Sequence, residues 1–247
     1  MHRFFADENG IDHGTACLNI EDSRHALRVL RLATGDEVEL VCAPGRYLAQ
    51  ITGETDGLVQ VKILQALRQT EARTQVTLYQ GLPKAEKMEW IVQKATELGA
   101  CAVQGVAMER CVVKLSGKDA EKKAERWQKI AREAVKQCAR VDVPQVRAPQ
   151  KLAALREELT ALDVLIVPWE DARDGSIRDA LAPFENREAL RVGVLIGPEG
   201  GIAPGEAEWL RETAGGRLVT LGPRILRTET AALAALTLVM AARGEME

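Results

Sequence analysis

Histidine is scarce in this 247-residue chain and cysteine is unorganised, with three of the first and five of the second. Cys17, Cys42, Cys101, Cys111 and Cys138 are odd in number, widely spaced and never CxxC. That pattern supports neither a disulfide framework nor a zinc site, and the cysteines read as small buried residues. No histidine stands at ligand spacing from another, so no metal is expected. Serine is rare too. Ser23, Ser116 and Ser176 are the only ones and none sits in a GxSxG elbow, which excludes an α/β-hydrolase. A cysteine nucleophile paired with His2, His13 or His25 has no local support. No GxGxxG follows a strand, and Gly197-Pro198-Glu199-Gly200-Gly201 lacks the Lys-Ser/Thr of a P-loop. The first residues, Met1-His2-Arg3-Phe4-Phe5-Ala6-Asp7, meet charge at once, so no signal peptide is expected. The longest nearly uncharged apolar run, 230–242, falls short of the roughly 20 residues that span a bilayer, and a cytoplasmic location is expected. There is no internal repeat or low-complexity segment.

What is present is a composition 46% hydrophobic, enough for a sizeable core in one large or two ordinary domains. The net charge of -3 is unevenly spread. Residues 110–151 carry 12 lysines and arginines against 5 acidic residues, a local +7, while residues 152–247 carry 10 against 16. An acidic total therefore leaves room for a basic face, and phosphate affinity depends on the face.

Taken in order, residues 1–70 predict a small β-rich unit. Residues 36–43 alternate with period two and turn at Pro44-Gly45, and strands over 47–52 and 58–64 are separated by Gly53 and Asp56-Gly57. Spacing of this kind suggests a small barrel. Before them, residues 23–32 suit a helical turn with Ala26, Leu27 and Leu30 inward and Arg24, Arg28 and Arg31 together on the other side, though a solvated helix face would look the same. The polar, aperiodic stretch 66–75 reads as a linker. From there strand and helix alternate: strands over 76–82, 102–108, 164–167, 192–196 and 217–220, with helices over 84–98, 122–139, 152–159, 206–212 and 230–242. The helix over 122–139 has an apolar stripe of Trp127, Ile130, Ala131, Ala134, Val135 and Cys138. Alternation of this kind predicts an α/β domain over residues 71–247 with a mainly parallel sheet.

The most informative stretch is where two strands each break into a glycine-proline loop. Val192-Gly193-Val194-Leu195-Ile196 runs into Gly197-Pro198-Glu199-Gly200-Gly201, and Arg217-Leu218-Val219-Thr220 runs into Leu221-Gly222-Pro223-Arg224-Ile225-Leu226-Arg227-Thr228-Glu229-Thr230-Ala231. Ligands of open α/β sheets sit outside the carboxyl ends of strands, so two such loops mark a candidate site. Gly200 and Gly201 are expected to let the main chain approach a ligand, with Pro198 and Pro223 stiffening the turns. Backbone offering one donor and one acceptor per residue suits a flat hydrogen-bonding group such as adenine. Glycine and proline are also ordinary turn residues, so either loop alone leaves fold and function open. Thr228 is the expected cap of the last helix, and capping alone requires neither Arg227 nor a second loop of matching design.

These two loops resemble the S-adenosylmethionine-binding loops of the SPOUT methyltransferases, and within them the RsmE family of 16S rRNA uracil-N3-methyltransferases. The resemblance covers the whole chain. It takes in Arg3-Phe4-Phe5, residues 25–31 with Gly35-Asp36, Lys84, Lys87-Met88-Glu89, Glu97-Leu98-Gly99, Glu109-Arg110, Arg126-Trp127, Glu133-Ala134, Gln137 and Arg140. One departure is Cys111, where similar proteins tend to have serine.

The resemblance implies a PUA-like β-barrel that helps bind RNA, a SPOUT α/β domain with a deep trefoil knot, and a homodimer with the cofactor site at the subunit interface. Its cofactor would be S-adenosyl-L-methionine, held by Leu195, Ile196, Gly197, Pro198, Glu199, Gly200, Gly201, Leu221, Gly222, Ile225, Leu226, Arg227, Thr230 and Ala231. Its partner would be 16S rRNA of the small ribosomal subunit, methylated at N3 of the family's uridine 1498. Because N3 carries a weakly acidic proton, the site must accept that proton or stabilise the anion. Arg227 is the first candidate for the anion, and Glu199 and Glu229 for a base or for positioning. RNA-binding candidates are Arg3, Arg24, His25, Arg28, Arg31, Lys84, Lys87, Arg110, Arg126, Arg132 and Arg140. Transfer to a ribose 2′-hydroxyl, or RNA binding without catalysis, are the other readings.

Overall fold

The computed structural model describes residues 1–42, 45–67, 70–114 and 117–246, and of residues 8 and 9 only the backbone. Ala43 and Pro44 of the expected strand and turn, Arg68 and Gln69 of the expected linker, and Ser116 lie outside the described residues. The chain divides into two compact units, Met1–Glu71 with Ala139–Asp142, and Ala72–Cys138 with Val143–Glu247.

In the first unit, strands β1 (Arg3–Asp12), β2 (Thr15–Leu18), β3 (Glu37–Cys42), β4 (Gly45–Thr55) and β5 (Leu58–Ala66) close a barrel in the order β1-β2-β5-β4-β3. The period-two pattern buries Val38, Leu40, Ala49, Ile51, Val59 and Val61 in its interior. Asp56 and Gly57 both take positive φ between the paired Thr55 and Leu58, the geometry a tight two-residue hairpin needs. β1 and β2 were not anticipated, because the polar run from Asp7 to Gly10 hides the alternation of β1. The helix expected over 23–32 is instead α1 (Ile20–Arg24), capped by the Asn19 side chain, followed by a π-helical turn His25–Val29. Arg31 lies beyond it with φ 54°, so it does not share a helix face with Arg24 and Arg28.

The stretch 66–75 is not a free linker. β5 runs to Ala66, β6 begins at Thr74, and Glu71 between them accepts Arg140 Nε and Nη2 at 3.1 and 2.8 Å and the amides of Val141 and Asp142. Those contacts fold residues 139–142 into the first unit.

The second unit is a six-stranded parallel sheet of β6 (Thr74–Gly81), β7 (Ala102–Ala107), β8 (Gln145–Lys151), β9 (Val164–Pro168), β10 (Leu190–Ile196) and β11 (Arg217–Val219), in the order β11-β9-β10-β6-β7-β8. Its helices are α2 (Lys87–Glu97), α3 (Lys118–Cys138), α4 (Arg156–Thr160), α5 (Ile177–Leu181), α6 (Pro204–Glu212) and α7 (Thr228–Ala242). The expected α/β alternation is what forms, with two additions. β8 escapes the pattern because it is an edge strand with Pro149 in it and Val146 as its one buried residue, and α5 is only five residues long. On α3 the stripe of Trp127, Ala131, Ala134 and Val135 is buried. Val192, Val194, Leu195 and Ile196 of central β10 are 0 to 2% exposed, as a strand covered on both faces requires. Strand order turns around β10 and β6, and their carboxyl ends, with those of β9 and β11, release the chain on one side of the sheet.

Candidate active site

Glycine at four positions fixes the strand ends. A Cβ on Gly81, the last residue of β6, would stand 2.6 Å from the backbone nitrogen of Pro198, so β6 and the loop after β10 touch main chain to main chain. A Cβ on Gly197 would meet Ile202 Cγ1 at 2.8 Å, and one on Gly200 would meet Arg110 Cβ at 3.0 Å. Gly201 takes φ 73° with the Glu170 carboxylate where its Cβ would be. The expected reason for Gly200 and Gly201, close approach of a ligand, is thus corrected to close approach of the chain to itself.

Thr228 is not the cap of α7. Arg227 occupies that position, and the buried Thr228 hydroxyl donates to the Gly197 carbonyl at 2.6 Å while accepting from Gln80 Nε2 at 2.9 Å. This relay fastens β6, the loop after β10 and the start of α7 to one another. Trp169, directly after β9, adds a fourth strand end: its amide donates to the Val219 carbonyl at 3.1 Å and its indole N–H to the Ile202 carbonyl at 3.3 Å.

Between these loops lies a cleft of about 540 Å³. Of the expected cofactor residues, Ile196, Gly197, Pro198, Glu199, Gly200, Gly201, Leu221, Gly222, Ile225, Leu226, Arg227 and Ala231 line it. Leu195 does not, being 0% exposed in the core beneath, and Thr230 is exposed on the first turn of α7 outside the lining. Pro168, Trp169, Glu170 and Thr220 line the cleft without having been singled out. The signal was available, since residues 168–170 directly follow an expected strand of the same sheet. Among the described residues the backbone N–H groups of Leu221, Ile225 and Leu226 meet no protein acceptor. Unpaired donors at the rim of a cleft are what a polar ligand would satisfy.

Charge in the cleft is arranged around Lys87, whose ammonium lies 3.1 Å from both Glu199 Oε1 and Glu229 Oε2. Lys87 was an RNA candidate from its charge; the structure turns it inward as a bridge between the two carboxylates. Hydrogen bonds to Glu199 and Glu229 raise its pKa. Burial alone would raise the Glu199 carboxyl, but the Lys84 amide at 3.0 Å, its own amide and Lys87 outweigh that and hold it below its usual value. A carboxylate so held is a weak base. Glu229 Oε2 is buried with no partner besides the Lys87 ammonium. Arg227, exposed at the head of α7, has no protein partner among the described residues and faces the cleft free.

The other RNA candidates divide by partner. Arg140 is 5% exposed and bound to Glu71, and Arg3 shares the buried Glu39 with Arg46, so both are structural cations of the barrel unit rather than an RNA surface. Their ion pairs hold the Glu71 and Glu39 carboxyls below the usual range against the opposing effect of burial. Arg110 donates to the Gly200 carbonyl at 3.0 Å and Arg126 to Glu89 at 2.9 Å. Arg24, His25, Arg28 and Arg31 are exposed in the first unit, and Lys84 and Arg132 are exposed in the second.

The description "RNA methyltransferase domain" belongs to a family model that matches residues 70–240, and "RNA methyltransferase PUA domain" to one that matches residues 18–64. The parallel α/β unit with its loop-built cleft is therefore of the RNA methyltransferase class. Ribosomal RNA small subunit methyltransferase E of Bacillus subtilis is 37% identical over 97% of this chain and 96% of its own, and that of Mycobacterium tuberculosis 33% over 94% and 88%. The enzyme of that name from Neisseria gonorrhoeae, solved bound to S-adenosyl methionine, superimposes with a TM-score of 0.75 at 32% identity over 98% of this chain and 97% of its own. A Legionella pneumophila methyltransferase structure in complex with SAM gives 0.76 at 31% over 97% of each. This chain belongs to the ribosomal RNA small subunit methyltransferase E family.

Proposed function

We propose that this protein transfers a methyl group from S-adenosylmethionine to N3 of one uridine, the family's 1498, in the small-subunit rRNA. The observation that carries the reading is the Arg227 guanidinium, unpaired among the described residues and set beside a cleft rimmed by free backbone donors. The residues fit the cofactor: the amides of Leu221, Ile225 and Leu226 would take a heteroaromatic ring, and about 540 Å³ falls in the range of small-molecule sites. Bound there, the sulfonium would supply an electrophilic methyl group. Arg227 would offer its donors to the uracil oxygens beside N3 as that nitrogen loses its proton, holding the anion while water carries the proton away. Glu199 and Glu229 serve position in this scheme, since Lys87 neutralises both.

The reading assigns RNA holding to a PUA-like domain of residues 1–70, through Arg24, His25, Arg28 and Arg31, and chemistry to residues 71–247. Lys84 and Arg132 would add phosphate contacts, and the target base would leave its stack to enter the cleft. A trefoil knot in the α/β domain, cytoplasmic location and a homodimer that closes the cleft belong to the same proposal. Ile225, 89% exposed on the cleft rim, and Leu238, 48% exposed on α7, are the apolar groups such a dimer would cover. The test is labelled-methyl transfer onto small-subunit particles and naked 16S rRNA from cells lacking the protein, followed by nucleoside analysis. Label in 3-methyluridine supports the proposal, and label in a 2′-O-methyl nucleoside refutes it.

A further inference from the structure

A second cavity, of about 630 Å³, opens at the carboxyl ends of β7 and β8, on the same side of the sheet as the cleft. It is lined by Met108, Glu109, Cys111, Lys114, Lys151 and Trp209, among others. The two spaces share a wall. The loop that lines the cleft with Gly200, Gly201 and Ile202 continues into Gly205 and Glu206 of the cavity, and Glu206 accepts the Glu109 amide at 2.8 Å.

Its chemistry is that of a binding site. Cys111 is packed under the cavity, its sulfur accepting the Met108 amide at 3.4 Å, and burial raises the thiol's pKa, so a nucleophilic role is excluded. Both Glu206 oxygens are taken, one by the Glu109 amide and the other by the Ala203 amide. Among the described lining residues that leaves Lys114 and Lys151, both exposed, facing the single free carboxylate of Glu109. Trp209, on α6 and partly exposed, has no partner for its indole N–H among the described residues. An aromatic face beside two ammonium groups suits a stacked base with its phosphate.

We infer that this cavity holds one nucleotide of single-stranded RNA next to the methylated base, stacked on Trp209 with its phosphate on Lys114 and Lys151. The inference rests on the RNA methyltransferase reading above. The cavity gives the strand a second hold after the target base has left its stack, independent of the cofactor loops.

The experiment is fluorescence anisotropy of the full-length protein with a short labelled single-stranded RNA centred on uridine, with calorimetry of S-adenosylmethionine binding as the fold control. Trp209→Leu is expected to weaken RNA binding about tenfold with an unchanged salt slope, and Trp209→Phe to restore most of it. Lys114→Gln with Lys151→Gln is expected to weaken it and to lower the salt slope by about 1.4. Cofactor affinity stays the same in all three. RNA binding by the parent and by all the variants alike overturns the subsite alone, whereas a parent that binds no RNA overturns the RNA reading with it. Loss of self-association in Trp209→Leu with RNA affinity intact also overturns it, by making the cavity an interface between copies.

Discussion

The Lys87 ammonium lies 3.1 Å from Glu229 Oε2, and by reaching Glu199 Oε1 at the same distance it links the loop after β10 to the first turn of α7. Removing it would leave two carboxylates facing each other across the cleft. Lys87→Met is expected to lower turnover by about 100-fold, because small displacements of positioning groups cost that much, while Lys87→Arg keeps the charge and most of the activity. Steady-state kinetics with rRNA checks it; a Lys87→Met enzyme of normal turnover would show the bridge to be incidental.

The same bridge sets a pH dependence. Glu199 is held below its usual pKa, so its contribution to stability is full above the unfolded value of about 4.3 and is lost as pH falls through the lower folded value. Lys87 is raised, so its part is full below about 10.4 and is lost only as pH rises beyond that. Glu199→Gln is therefore expected to flatten the acid limb of melting temperature against pH and to leave the neutral region nearly parallel to the parent's.

Gly81 and Pro198 predict a purely steric effect. Gly81→Ala puts a methyl 2.6 Å from a backbone nitrogen that cannot swing aside, so the loop after β10 must move. A loss of about 1–3 kcal/mol in stability is expected, together with weaker S-adenosylmethionine binding. Thermal melting and calorimetry measure the two, and unchanged cofactor affinity would separate the contact from the site.

Thr228→Val keeps shape and removes the hydroxyl, stranding the buried Gln80 amide and the Gly197 carbonyl. The expected cost is about 1–3 kcal/mol, with Thr228→Ser close to the parent.

These relationships also mark where the sequence was legible. The uniform apolar run of β10 and the two glycine-proline loops could be read because local composition decides them. Gly81 could not, since its need for a missing side chain comes from a proline brought against it by strand pairing. Lys87, Arg3 and Arg140 read as surface cations because charge alone does not disclose a partner; only the fold sets Lys87 between Glu199 and Glu229 and Arg140 on Glu71. The barrel was legible from β3, β4 and β5, whose alternation is regular, and illegible in β1, where polar residues interrupt it.

Arg140 and the pair Arg24 and Arg28 therefore separate two roles that look identical in sequence. Arg24 and Arg28 are exposed and end in solvent, whereas Arg140 is 5% exposed and spends its guanidinium on Glu71. Arg24→Ala with Arg28→Ala is expected to weaken RNA binding and to reduce its salt slope by about 1.4, with melting temperature and cofactor affinity intact. Arg140→Ala should do the reverse: it leaves the Glu71 carboxylate without its cation, costs about 1–3 kcal/mol of stability, and leaves the salt slope of the folded protein unchanged. Melting curves and salt-dependent RNA titrations on both variants decide the matter. An Arg140→Ala protein of parental stability with a shallower salt slope would return that arginine to the RNA surface.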